Sequence, residues 1–148
     1  MSASIRVSVF IALAVVSCSS GGGEASTSAS DATLPPTFSN VYASVIARRC
    51  TPCHTIPGEI GITEGKLDMT SQEAAYADLV GTEAAGVSCG GKGLRVTPGS
   101  PTDSIMYLKT DLGDPAPCGS KMPLGEAPLS AADVALIQAW ISAGAQND

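Results

Sequence analysis

From Phe38 onward the chain alternates apolar stripes of helical period with Gly- and Pro-rich breaks. Phe38, Val41, Tyr42, Val45, Ile46 and Cys50 recur at i, i+3, i+4, i+7, i+8 and i+12, one face of a helix for which Thr37 is the expected N-cap. "TSQEAAYADLVG" predicts a second helix, with Thr70 and Glu73 in a capping box and Gly81 at its stop. "SPTDSIMYLKT" predicts a third, with Ser100 as N-cap, Pro101 at the first helical position and Asp103 in the first turn. "LSAADVALIQAWISAG" predicts a fourth, capped by Ser130 and Asp133, stapled by Leu129 and Val134, and ended by Gly144. No stretch carries a period of two. The expected fold class is all-α, a small domain of about four helices joined by Gly/Pro-rich loops.

The N-terminal residues follow a different pattern. "MSASIR" has one Arg and no acid, and Val7 to Val16 is a continuous apolar run, too short for a bilayer span but suited to a signal peptide. "VVSC" then resembles the lipobox of bacterial lipoproteins, which makes residues 1–17 the signal and Cys18 the lipidated first residue of the mature chain. Ser19, by the same resemblance, favours the periplasmic face of the outer membrane. Ser19 to Pro36 is mostly Ser, Gly, Ala and Thr, so residues 18–36 form a flexible tether with a root-mean-square reach of roughly 20–25 Å. Residues 37–148 remain for one small domain.

Composition narrows the partners of that domain. Its formal charge, −6 for the whole chain, grows by one negative unit once Arg6 leaves with the signal. A basic stripe is absent, which argues against nucleic acid. Phe38, Tyr42, Tyr76, Tyr107 and Trp140 are its only aromatics, few for a core of this size.

"CTPCH", Cys50 to His54, begins where the first apolar stripe ends, and it contains the only histidine of the chain. The pattern C-x-x-C-H suits covalent haem. Two thiols a helical turn apart add across the two vinyl groups, and the next residue's imidazole falls beneath the iron. Zinc calls for a fourth ligand and usually a second paired set, and Cys89 and Cys118 stand apart. A redox dithiol calls for a βαβ setting, and a plain disulfide leaves His54 unexplained. Haem c is therefore the expected cofactor. It would also fill the centre that so few aromatics leave thin.

The cysteine count agrees. Of five cysteines, Cys18 goes to lipid and Cys50 and Cys53 to haem, which leaves Cys89 and Cys118 as a structural disulfide. With one histidine, the second axial ligand must be something else. Met106 lies inside a predicted helix and Met69 precedes one, both as core residues, whereas Met122 sits in the loop "CGSKMPLGEAPLS" with Pro123 behind it. Met122 is the expected distal ligand. The alternative leaves the sixth position open or labile, as in a haem enzyme, a small-ligand binder or a sensor.

These residues resemble a class I c-type cytochrome, and more closely the planctomycete-type cytochrome c domain of exported bacterial proteins. The likeness runs through "CTPCH", "LDMTSQEAAYADLVG", "RVTPGSPTDSIMYLKT" and "MPLGEAPLSAADVALIQAWISAGA", nearly all of Phe38 to Ala145. It implies Cys50 and Cys53 as haem attachment points, His54 as proximal and Met122 as distal ligand. It also implies first and last helices that cross, with Phe38, Val41 and Trp140 near their contact. Arg95 and Lys121 are candidate partners for haem propionates, or else solvated surface charges. The implied function is a monomeric one-electron carrier, not an enzyme, anchored to the membrane through Cys18 and meeting redox proteins of the cell envelope.

Overall fold

A computed structural model describes residues 34–111 and 115–148. The signal, Cys18 and the tether up to residue 33 lie outside the described residues. The expectation of helices without strands holds among the described residues, where only the isolated bridges Val80–Val96 and Glu83–Leu94 occur.

The first stripe forms α1 (Phe38–Val41), a π-helical turn (Tyr42–Ile46) and α2 (Ala47–Arg49), one after another. Thr37 caps it as expected, its hydroxyl accepting from the Asn40 amide at 3.3 Å. A short α3 (Ile60–Thr63) follows that no periodicity announces. In α4 (Gln72–Leu79) the cap is Ser71 instead of Thr70, with Ser71 Oγ accepting from Ala74 N at 3.1 Å. Thr70 is drawn away because its own amide donates to Asp68 Oδ1 at 2.8 Å.

The third predicted helix is interrupted. A 3-10 turn at Pro101–Asp103 gives way to extended backbone at Ser104 before α5 (Ile105–Thr110) begins. Ser104 is fully buried, and its hydroxyl accepts from Thr97 N at 2.8 Å and donates to Ser100 O at 2.8 Å. A serine that bonds nearby backbone in this way competes with the helical ladder. The first amides of α5 donate instead to Leu94 and Arg95 carbonyls, at 3.2 and 2.9 Å from Ile105 and Met106. The last helix, α6 (Ala131–Ser142), matches its prediction, with a reciprocal Ser130–Asp133 capping box and Gly144 at φ +100° behind its end.

α1 and α6 pack against each other. Phe38 meets Trp140 and Tyr76 with ring centroids 5.1 Å apart in each case, and Tyr42 at 6.4 Å. Four of the five aromatics of the domain therefore gather at one place, walled by Val41, Ile46, Leu79, Ile137 and Ile141. Trp140 Nε1 donates to Gln146 O and the Tyr76 hydroxyl to Ala145 O, both at 3.0 Å, so no ring leaves a buried donor unpaired. A smaller cluster of Ala84, Ile105 and Cys118, with Cys89 beside it, has no aromatic.

Phe38 is fully buried among three rings. Phe38→Ala is expected to lower unfolding free energy by about 3–5 kcal/mol, measured by urea titration, the cost of removing a large ring from a packed core. A loss below about 1 kcal/mol would mean that the aromatic cluster is not the keystone of the crossing.

Candidate haem-attachment site

The end of α2 delivers Cys50, and the next residues turn back on the helix, His54 N donating to Cys50 O at 3.0 Å. Cys50 and Cys53 are half-buried and unbridged. Burial pushes the Cys50 thiol up to about 12, against the pull of Arg49. The two cysteines lie three residues apart with their thiols free, as attachment to a bifunctional ligand requires.

His54 is held at several points. Its carbonyl accepts from Met69 N at 2.8 Å, and Met69 is anchored in the main core. Its ring Nδ1 stands 3.2 Å from Leu67 O. A carbonyl only accepts, so this bond places the ring proton on Nδ1 and leaves the Nε2 lone pair for a metal. Burial lowers the His54 pKa, the Leu67 bond opposes this, and the charges of Arg95 and Lys109 lower it further. Burial thus favours the neutral imidazole, the form that ligates. Gly61 of α3 forms the floor: a Cβ there would lie 2.5 Å from Cys53 O and 2.6 Å from His54 Nδ1.

Met122 belongs to a strap fastened to α5. Its amide donates to Lys109 O at 2.9 Å, and Lys121 Nζ donates to Leu108 O and Asp111 O at 2.8 and 2.6 Å. Lys109 Nζ donates to Cys118 O at 2.7 Å, and Cys118 is joined to Cys89 by a disulfide. Farther along, Ala127 O accepts from Arg49 Nη2 at 2.8 Å. The strap thus runs from the end of α5 to the residue next to Cys50. Met122 is half-buried at a cleft of about 150 Å³ shared with Thr110, Lys121, Pro123 and Pro128. Of the other two methionines in the domain, Met69 is buried in the core and Met106 packs on it.

Arg95 and Lys121 are occupied by this chain's own groups. Lys121 serves the carbonyls at the end of α5. Arg95, 6% exposed, donates to the carbonyls of Asp78 (2.7 Å) and Lys66 and lies 3.6 Å from the Asp78 carboxylate. Sequence reasoning missed Gly61, Leu67, Asp78 and Lys109. The roles of Gly61 and Leu67 depend on backbone atoms and close approach, and Asp78 and Lys109 act on backbone groups remote in sequence, so none leaves a local signature.

Compared with known protein families, characterised proteins and solved structures, the chain matches none. Its chemistry therefore has to be judged on the donor set itself. Among the described residues no group of three or more His, Cys, Asp or Glu side chains gathers to hold a metal ion, Cys50, Cys53 and His54 included. The residue types are those covalent haem would use, two unbridged thiols and an imidazole whose Nδ1 faces the Leu67 carbonyl, whereas Met122 lines a separate cleft whose walls do not include Cys50, Cys53 or His54. Ile56 (47% exposed) and Ile60 (56%) stand uncovered in the segment after His54, and Leu124 (55%) two residues after Met122.

Two outcomes test this geometry. Gly61→Ala is expected to displace the His54 ring, seen as a changed ring-proton environment by NMR, because backbone and imidazole both obstruct the added methyl. Cys89→Ser/Cys118→Ser is expected to lower stability by about 3–4 kcal/mol in denaturant titration, from the entropy of a 29-residue loop.

Proposed function

We propose that the chain is a monohaem c-type cytochrome, a one-electron carrier held to the bacterial cell envelope by a lipid on Cys18. The observation that carries this reading is His54, the sole histidine. It directly follows two unbridged cysteines in C-x-x-C-H and is oriented through Nδ1 by the Leu67 carbonyl. A backbone carbonyl on the far ring nitrogen is what a metal-ligating histidine usually has.

In this reading Cys50 and Cys53 would hold haem covalently, and His54 Nε2 and Met122 Sδ would ligate its iron. Bound in this way, haem supplies a reversible one-electron couple, and a thioether ligand tends to raise its potential. The chain's own residues do the rest. Gly61 and Leu67 fix the plane and proton of the imidazole, so no rearrangement is needed between redox states. Arg95 and Lys109 place positive charge within reach of His54, which favours the reduced state. The strap, fixed to α5 and to Arg49, presents Met122 from a backbone that does not have to move. With both His54 and Met122 as ligands, the iron would have no site left for a substrate, which would favour electron transfer over catalysis. The tether would let the domain meet membrane-bound donors and acceptors within roughly 20–25 Å of its anchor.

The test is spectroscopic. Purified mature protein is expected to show Soret and α bands after reduction, and a mass increase for haem that survives denaturation. In Met122→Ala the ferric methionine-to-iron charge-transfer band should vanish and the affinity for added imidazole should rise. Absence of that band in the wild type would overturn the assignment of Met122. Absence of the Soret band would overturn the cytochrome reading altogether.

A further inference from the structure

The carbonyl that orients His54 lies in a turn that its own sequence does not make rigid. Lys66, a non-glycine residue, sits at φ +51°, in the left-handed region that costs an ordinary side chain about 1–2 kcal/mol. Such backbone persists only where its surroundings hold it. Leu67, which follows, is half-buried and donates its amide to Gly61 O at 3.2 Å. Two side chains grip the turn on either side of it. Arg95 Nη2 donates to Lys66 O, and Asp78 Oδ2 accepts from Asp68 N at 2.7 Å. The two grips are themselves joined, since Arg95 Nη1 donates to Asp78 O at 2.7 Å and lies 3.6 Å from Asp78 Oδ2. Asp78 is on α4 and Arg95 on the segment paired with the end of α4, so the brace refers the turn back to the main core.

We propose that Arg95 and Asp78 are positioning residues for His54: they clamp Lys66 and Asp68 so that the Leu67 carbonyl between them is set against Nδ1. This rests on His54 being the haem ligand. Arg95 suits the task because its planar fork offers two N–H groups at fixed spacing to two acceptors, which a single ammonium cannot reproduce. A firm Nδ1–H···O bond gives the imidazole more anionic character and makes it a stronger donor to ferric iron. Weakening the bond raises the potential.

The test uses the haem-loaded full chain and a series that separates geometry from charge. Arg95→Lys keeps the charge and loses the fork. Asp78→Ala loses the acceptor for Asp68 N, and Asp78→Asn keeps an oxygen there. In the reduced protein, solvent exchange of the His54 Nδ1 proton, read by NMR, is expected to quicken about five- to tenfold in Arg95→Lys and Asp78→Ala, the factor that one ordinary hydrogen bond represents. Asp78→Asn should stay within about twofold of wild type on the same scale. The midpoint potential of Arg95→Lys should rise. If Arg95→Lys and Asp78→Ala melt earlier but leave proton exchange and potential unchanged, the residues are merely structural and the proposal fails. If Arg95→Lys does not fold, the contrast between Asp78→Ala and Asp78→Asn decides by the same exchange rate. Should the wild type carry no haem, the cytochrome reading falls, and the brace is tested separately. The haem-free wild type must then hold His54 as its Nδ1–H tautomer by ¹⁵N shifts, and Asp78→Ala must lose that preference.

Discussion

Phe38, enclosed by Trp140, Tyr76 and Tyr42, is the contact from which the rest of the domain is hung. Aromatic burial is the strongest apolar contribution available to a chain with five such residues in its domain, and four are committed to this one crossing. The crossing fixes α1, α1 leads through the π turn into α2, and α2 ends at Cys50. The start of the C-x-x-C-H motif is therefore aimed by the core, although Cys53 and His54 themselves lie beyond the last turn of α2.

Outside that crossing, apolar packing is thin and directional bonds take over. Arg95, Lys109 and Lys121 each spend their donors on backbone carbonyls, and Arg49 does the same for Ala127. A disulfide supports the small second cluster, where no aromatic is present. Loops held in this way keep a defined shape without a large apolar core of their own.

The same economy explains the charges. Each cation near His54 is anchored by a carbonyl that accepts from it, so positive field and loop geometry come from one side chain. The propionate role expected of Arg95 and Lys121 has to be weighed against these bonds. Arg95 is nearly fully buried with two of its donors in use, and Lys121 is half-buried at the end of α5.

Much was legible in the residues alone. The stripe from Phe38 to Cys50, the Thr37 cap and the Ser130–Asp133 box are local patterns, and a local pattern needs only neighbours in sequence to act. The motif Cys50–His54 is equally local, because its chemistry demands a fixed spacing. Other features had no local signature. The cap passed from Thr70 to Ser71 because Asp68 claimed the Thr70 amide, and the third helix broke because buried Ser104 bonded to Thr97 and Ser100. Gly61 beneath His54, the Leu67 carbonyl and the Arg95–Asp78 brace join positions 7 to 29 residues apart, each with a backbone atom common to every residue type on at least one side. The sequence determined which groups can do chemistry, since side-chain type and short spacing are written in it. Only the tertiary structure decided what holds those groups, because close approach and carbonyl direction exist only once the chain has folded back on itself.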